Sequence, residues 1–272
     1  MTEAEVLKTY DITKYDRPSV TVDIAAFGVQ GIAEENYRQD EKKELSILLI
    51  KRGGYPFKDM WALPGGFVQK DETIEESAFR ELKEETNVVP QSLMDIGTYS
   101  TVGRDPRGWI ISNAFVSVVN EDDVKAVGGD DAAEAKWFQV ELNKKRNDFV
   151  LELKCETLKL RATLTPVKEK FGRIEFHIKE SEGIAFDHAR IIAEAFSILK
   201  KQSENFEVLF DFLPSRFTLT GLQKVQETIL GVNLLPANFR RKVMPYVEET
   251  DEFTTGKGHR PAKLFKKRGG LK

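Results

Sequence analysis

Hydrophobic side chains run along this chain in two different rhythms. Up to about residue 180 they come in short runs rich in β-branched and aliphatic residues, the pattern of strands. Residues 19–30 (SVTVDIAAFGVQ) and 46–52 (SILLIKR) are two such runs, and the polar stretch AEENYRQDEKK between them predicts a solvated loop. Further strand-like segments lie near 92–103, 109–119 and 135–140, and residues 150–180 predict two or three more with weaker alternation. A Pro-Gly-Gly turn sits inside WALPGGFVQ (61–69), and a helix is predicted from about Thr73 to Thr86. From Phe186 the rhythm becomes helical, at 187–202, 206–212, 219–230 and 236–244. Short strand-like pieces around a Gly-rich turn return in 247–268. The change predicts two units meeting near Ser181-Glu182-Gly183: residues 1–182, with 150–182 an extra strand segment, and residues 183–272.

Composition narrows the chemistry. The 272 residues hold enough apolar material for a sizeable core, and a net charge of −3 gives no global attraction to nucleic acid or membrane. Cys155 is the single cysteine, which excludes an internal disulfide and a cysteine zinc cluster. His177, His188 and His259 are too scattered to form a metal site by spacing. No apolar run approaches the roughly 20 residues of a spanning helix. The N-terminal stretch MTEAEVLKTYDITKYD lacks the apolar core of a secretion signal, so a cytoplasmic location without a membrane partner is expected.

The most informative segment runs from Gly65 to Val88. Thr73 and Glu76 form a capping box, so the helix start is locally specified. Ala78 and Leu82 supply a buried stripe. Glu81, Glu84 and Glu85 fall at i, i+3 and i+4, so three like charges share one face. Each unfavourable pair costs about 0.2–0.5 kcal/mol. A hard divalent cation would remove that cost and use the oxygens as ligands. Arg80, four residues from both Glu76 and Glu84, can hold a glutamate in one orientation. Charged helical faces are usually just solvated; here the spacing argues for a site.

That spacing resembles the Nudix box, Gly-x5-Glu-x7-Arg-Glu-aliphatic-x-Glu-Glu-x-Gly-aliphatic, at Gly66, Glu72, Arg80, Glu81, Leu82, Glu84, Glu85 and Val88. The second Gly is replaced by Asn87, which also suits a left-handed helix cap. The resemblance implies an α/β fold, an α/β/α sandwich with a mixed sheet. It also implies cleavage of a diphosphate linked to another moiety. Glu81, Glu84 and Glu85, with the Gly65 carbonyl, would hold Mg²⁺ (or Mn²⁺), and Arg80 would assist catalysis. A carboxylate from a later loop would be the general base, with Glu121, Asp122, Asp123, Asp130, Asp131 and Glu134 as open choices.

Residues 102–109 (VGRDPRGW) put Arg104 and Arg107 beside turn residues, where they can clamp phosphates with Gly66 nearby, or simply decorate a surface hairpin. With PFKDMWALPGGFV upstream, this wording resembles the Nudix branch that handles ADP-ribose. Tyr10, Tyr15 and Trp61 could stack on an adenine, although core packing is the commoner role of such residues.

The C-terminal part has its own signature. A helix over 219–230 stopped by Gly231, a short turn, and a cationic helix opened by Pro236 follow the helix-turn-helix order. From Pro236 onward there are ten Lys/Arg against four Asp/Glu, a local charge of +6. With FDHARII, FTLTGLQKVQETILG, NFRRK and RPAKLF, this region resembles the winged helix-turn-helix module of the Nudix-related transcriptional regulators. The resemblance implies a homodimer that binds double-stranded DNA through Asn238, Arg240, Arg241 and Lys242, with Arg260 and Lys263 on a basic wing around Gly256–Gly258. Two functions remain in view: a hydrolase of ADP-ribose or a related nucleotide sugar, and a ligand-responsive regulator with little or no turnover.

Overall fold

The computed structural model describes residues 2–32, 42–120, 134–170, 173–254 and 261–269. Most of the polar 33–43 stretch, the Gly256–Gly258 turn with His259 and Arg260, and five of the six general-base choices lie outside them.

A short helix not anticipated from the sequence opens the chain: α1 (Glu3–Thr9), capped by Thr2 and Glu5 and with no buried residue. The strands follow as β1 (Ser19–Ile32), β2 (Lys42–Lys51), β3 (Trp61–Ala62), β4 (Gly65–Phe67), β5 (Ser92–Tyr99), β6 (Ile110–Val119), β7 (Ala135–Lys145), β8 (Asp148–Cys155), β9 (Leu158–Lys170) and β10 (Arg173–Glu182). They form one sheet in the order β10-β9-β8-β7-β2-β1-β6-β5, with β3 paired to β2 and β4 to β1. β1 and β6 run parallel while the other neighbours are antiparallel, so the sheet is mixed.

Strand alternation decides what covers each face. Val22, Ile24 and Ala26 of β1 point to helix α2 (Ile74–Thr86), where they bury Ala78 and Leu82. Ala25, Phe27 and Val29 point the other way and pack with helix α3 (His188–Gln202). Helix, sheet and helix make three layers. The segment 150–180 forms three strands, and Leu151, Leu153, Leu160, Leu164 and Phe176 extend the apolar face on which α3 lies.

Beyond α3 come α4 (Phe206–Phe210), α5 (Leu219–Leu230), α6 (Pro236–Val243), β11 (Val247–Phe253) and β12 (Lys263–Lys267). Thr218 caps α5, and Gly231 ends it at φ 71, the left-handed position that glycine takes without steric cost. Pro236 occupies the first turn of α6. β11 and β12 pair antiparallel as a wing. Phe239 and Val243 of α6 are buried with Phe206, Leu222, Val225 and Phe265. That apolar cluster continues without a break through α3 to the sheet.

Candidate ligand site and nucleic-acid interface

α2 begins as its sequence predicts. The Glu76 N–H donates to Thr73 Oγ1 (3.1 Å), and the Thr73 N–H donates to Glu76 Oε2 (2.7 Å). It ends at Asn87, left-handed at φ 57, whose N–H donates to the Lys83 carbonyl. Glu76 is thereby committed to the cap, and Arg80 turns to other carboxylates. Its Nε and NH2 grip Glu72 in two bonds (2.9 and 2.6 Å), and NH1 reaches Glu81 (2.7 Å) and Glu84 (3.2 Å). The Arg80 bonds hold the Glu72 carboxyl down at about 2.

The two glycines before α2 have separate reasons to be glycine. A Cβ on Gly65 would lie 2.1 Å from the Val22 carbonyl oxygen, so β4 could not pair with β1. On Gly66 it would lie 2.3 Å from Glu81 Oε1. Gly66 therefore leaves space for a carboxylate rather than for backbone. The Gly65 N–H donates to Glu85 Oε2 (2.8 Å). Burial pushes the Glu85 carboxyl up, the Gly65 N–H opposes this and Glu81 adds to it, bringing it to about 7.

Among the described residues no three His, Cys, Asp or Glu side chains converge closely enough to hold a cation as they stand. Arg80 draws Glu81 and Glu84, and Gly65 draws Glu85. The donor chemistry nonetheless fits a hard divalent ion. Glu81 and Glu85 repel one another, a cost a divalent cation would remove, and Gly66 lets the Glu81 carboxylate lie against the backbone beside it.

The arginine loop divides into two roles. The Arg104 side chain is only 5% exposed; its Nε and NH2 donate to both Asp187 oxygens (2.9 and 2.7 Å), and NH2 also reaches Asp23 (3.3 Å). Its Nε and NH2 are thus engaged by protein carboxylates, so as it stands it braces the loop beside Arg107. The Leu63 N–H donates to His188 Nδ1 (2.9 Å), which leaves Nε2 to carry the proton toward Asp23 (3.3 Å). Burial raises the Asp23 carboxyl, but His188, Arg104 and Ser112 outweigh it and hold the group at about 2.

Arg107 is more open. It pairs with Asp105 (2.7 Å) and lies over the rings of Phe67 (5.2 Å) and Phe186 (5.4 Å). Arg52 lies over the same Phe186 ring (4.7 Å) while its Nε donates to the Pro56 carbonyl. Burial, then the like charge of Arg107, lowers Arg52, with Asp105 and Glu85 opposing. Two guanidiniums thus share a phenyl ring, and one of them, Arg52, lies within electrostatic reach of Glu85. A cavity of about 460 Å³ lies elsewhere, between β5, β10 and α3, and no box residue lines it. Of the general-base choices, Glu134 is described, and Lys51 (3.0 Å) and Lys136 (3.4 Å) hold it.

In the C-terminal part, Asn238, Arg240, Arg241 and Lys242 stand exposed on α6 opposite Phe239 and Val243. The wing is less basic than its sequence suggests: Lys263 pairs with Glu249 (2.7 Å) and Lys266 with Glu248 (3.1 Å) across the two strands. Lys267 pairs with Glu207. Tyr10 and Tyr15 are exposed rather than packed, whereas Trp61 is buried.

Residues 36–153 match the NUDIX domain, and residues 209–266 match the NrtR DNA-binding winged helix domain. The ADPR responsive transcriptional repressor NtrR of Acinetobacter baylyi is 30% identical over 268 residues, spanning 97% of this chain and 88% of its own. The chain is a member of the NrtR family of Nudix proteins. A MutT/nudix family protein from Enterococcus faecalis superimposes with a TM-score of 0.72 at 29% identity, over 98% of this chain and 94% of its own. The ADP-ribose pyrophosphatase of Methanocaldococcus jannaschii is 43% identical over 139 residues, 50% of this chain and 72% of its own.

Three residues of this NrtR-family site escaped the sequence reading. Asp23 left a usable sign, a lone carboxylate inside the apolar run SVTVDIAAFGV. Arg52 closes the strand-like run SILLIKR, which is a weaker one. Phe186 left none, because only the fold carries it from the head of α3 to Phe57 and Arg52.

Proposed function

We propose that this chain hydrolyses the diphosphate of ADP-ribose, or of a related nucleoside diphosphate derivative, with Mg²⁺ or Mn²⁺, and that it also binds double-stranded DNA. The supporting observation is the carboxylate set of α2 beside a guanidinium pair, Arg52 and Arg107 sharing the Phe186 ring, with Arg52 and Glu85 within electrostatic reach of one another. One pole suits a cation and the other a diphosphate. Glu81, Glu84, Glu85 and the Gly65 carbonyl would hold the metal, which when bound neutralises the diphosphate and acidifies water. Arg80 fixes the glutamates, Gly66 leaves room for Glu81, Arg107 and Arg52 hold the phosphates, and Arg104 braces the loop that carries Arg107. Water adds to one phosphorus, the P–O–P bridge breaks, and two monophosphates leave.

We assign ligand handling to residues 1–182 and DNA contact to residues 183–272, with α3 shared. Asn238, Arg240, Arg241 and Lys242 would face the duplex, with Lys263 on the wing and Arg260 beyond the described residues. A homodimer is expected, because a two-fold protein matches a palindromic site.

A second reading, a ligand-responsive regulator with little turnover, is favoured by the repressor name of the full-length relative and by the grip of Arg80 on Glu81 and Glu84. Release of AMP from ADP-ribose with Mg²⁺ separates the two. AMP production supports the hydrolase; tight binding without AMP leaves the regulator; no binding at all overturns both.

A further inference from the structure

Phe186 enters α3 in an unusual way. Its φ is 51, a left-handed conformation that a bulky side chain rarely adopts. Its ring packs at 4.7 Å on Phe57 and 5.3 Å from the His188 ring, with Arg52 and Arg107 over it at 4.7 and 5.4 Å. The next two residues take hold of the same site: Asp187 holds Arg104 in two bonds, and His188 joins Leu63 and Asp23. Three consecutive residues at one helix head therefore grip the arginine loop, the Arg52 end of β2 and the turn before the box.

The other end of α3 is fastened to the winged helix. Gln226 of α5, itself buried, donates to the Ser203 carbonyl at the α3 C-terminus (2.8 Å). Between the ends, Ile191, Ile192, Ala195 and Leu199 are fully buried. A 15-residue helix is roughly 22 Å long. Packed this tightly, it cannot absorb a shift of its head by local deformation.

We propose that Phe186 senses the ligand through Arg52 and Arg107: a diphosphate drawn between them takes these guanidiniums from the Phe186 ring, and α3 carries the change to α5. This rests on the ligand proposed above and names the element that couples it to the DNA-binding part. The physical warrant is that one ring cannot keep both cation–π contacts while the two cations converge on an anion.

The test uses the full chain with ADP-ribose, calorimetry for binding, and hydrogen exchange for α3 and α5. In the parent, ligand should alter exchange in both helices. Phe186→Leu keeps apolar bulk without the π face; it should bind ADP-ribose within about tenfold of the parent yet lose most of the exchange change in α5. Phe186→Tyr should restore the change, which a merely structural role would not require. If Phe186→Leu passes the full change to α5, or if the parent binds ligand with α5 unaffected, the inference falls alone. If the parent does not bind ADP-ribose, the proposed function fails and takes the inference with it.

Discussion

Two short helices carry the charge that matters here, and they treat it in opposite ways. On α2 the charges are spent inside the protein. Arg80 binds Glu72, Glu81 and Glu84, and Glu85 accepts from Gly65. On α6 the exposed cations Arg240, Arg241 and Lys242 make no ion pair among the described residues. A small ligand with two phosphates needs donors fixed to within a fraction of an ångström. A polyanion needs only positive side chains free to track phosphates, because counterion release drives that binding. The same residue types thus become a shaped site in one place and a solvated face in the other.

The contrast between the helices breaks first at Glu84 and Glu85. Changing both to Gln should bring AMP release to background while leaving DNA binding unchanged; full activity in the double variant would remove the metal assignment. The adjacent glycines sharpen it. Gly66→Ala should displace only the end of a flexible glutamate, so the melting temperature stays near the parent's while activity falls about 10–100-fold. Gly65→Ala meets backbone instead and should lower the melting temperature markedly. Equal melting temperatures for the two variants would contradict the separate roles given to them.

Acid titration probes the buried network behind the site. The Asp23 carboxyl is held at about 2 against an ordinary value of 3.8. A depressed carboxylate contributes stability that is present above its unfolded value and lost as pH falls from about 4 through about 2. The contribution is about 2 kcal/mol. Asp23→Asn should therefore be less stable near neutrality and flatter between pH 4 and 2 in denaturant titrations. A parent and variant that lose stability in parallel over that range would show that Asp23 is not the group responsible.

What the sequence made legible was whatever neighbouring residues decide among themselves. The α2 cap, the Asn87 stop, the Ala78–Leu82 stripe and the Gly231 and Pro236 signals all rest on contacts within a few positions. Residues that meet only through the fold stayed hidden. Asp23, Arg104 and Asp187 lie on a strand, a loop and a helix head, and nothing in the stretch GRDPRGW shows that its first arginine is taken by Asp187, 83 positions later. The wing misled for the same reason. Counting charges after Pro236 cannot show that β11 lays its glutamates against the lysines of β12.

That neutralised wing yields the last and smallest effect. Each DNA phosphate that a variant no longer neutralises should flatten the slope of log affinity against log salt by about 0.9. Arg240→Ala with Arg241→Ala should thus flatten it by about 1.8. Lys263→Ala should flatten it by less than one phosphate's share, since Lys263 already shares its charge with Glu249 at 2.7 Å and reaches DNA only by giving up that partner. Removing Glu249 as well should free nothing in the Lys263→Ala background, but Glu249→Gln alone should steepen the slope by releasing Lys263. Measured on duplex from the region upstream of this chain's own coding sequence, these four variants rank the cations by how fully the protein has already paired them. A Lys263→Ala effect as large as half that of the Arg240→Ala, Arg241→Ala pair would mean that pairing in the free protein does not govern which cations bind DNA.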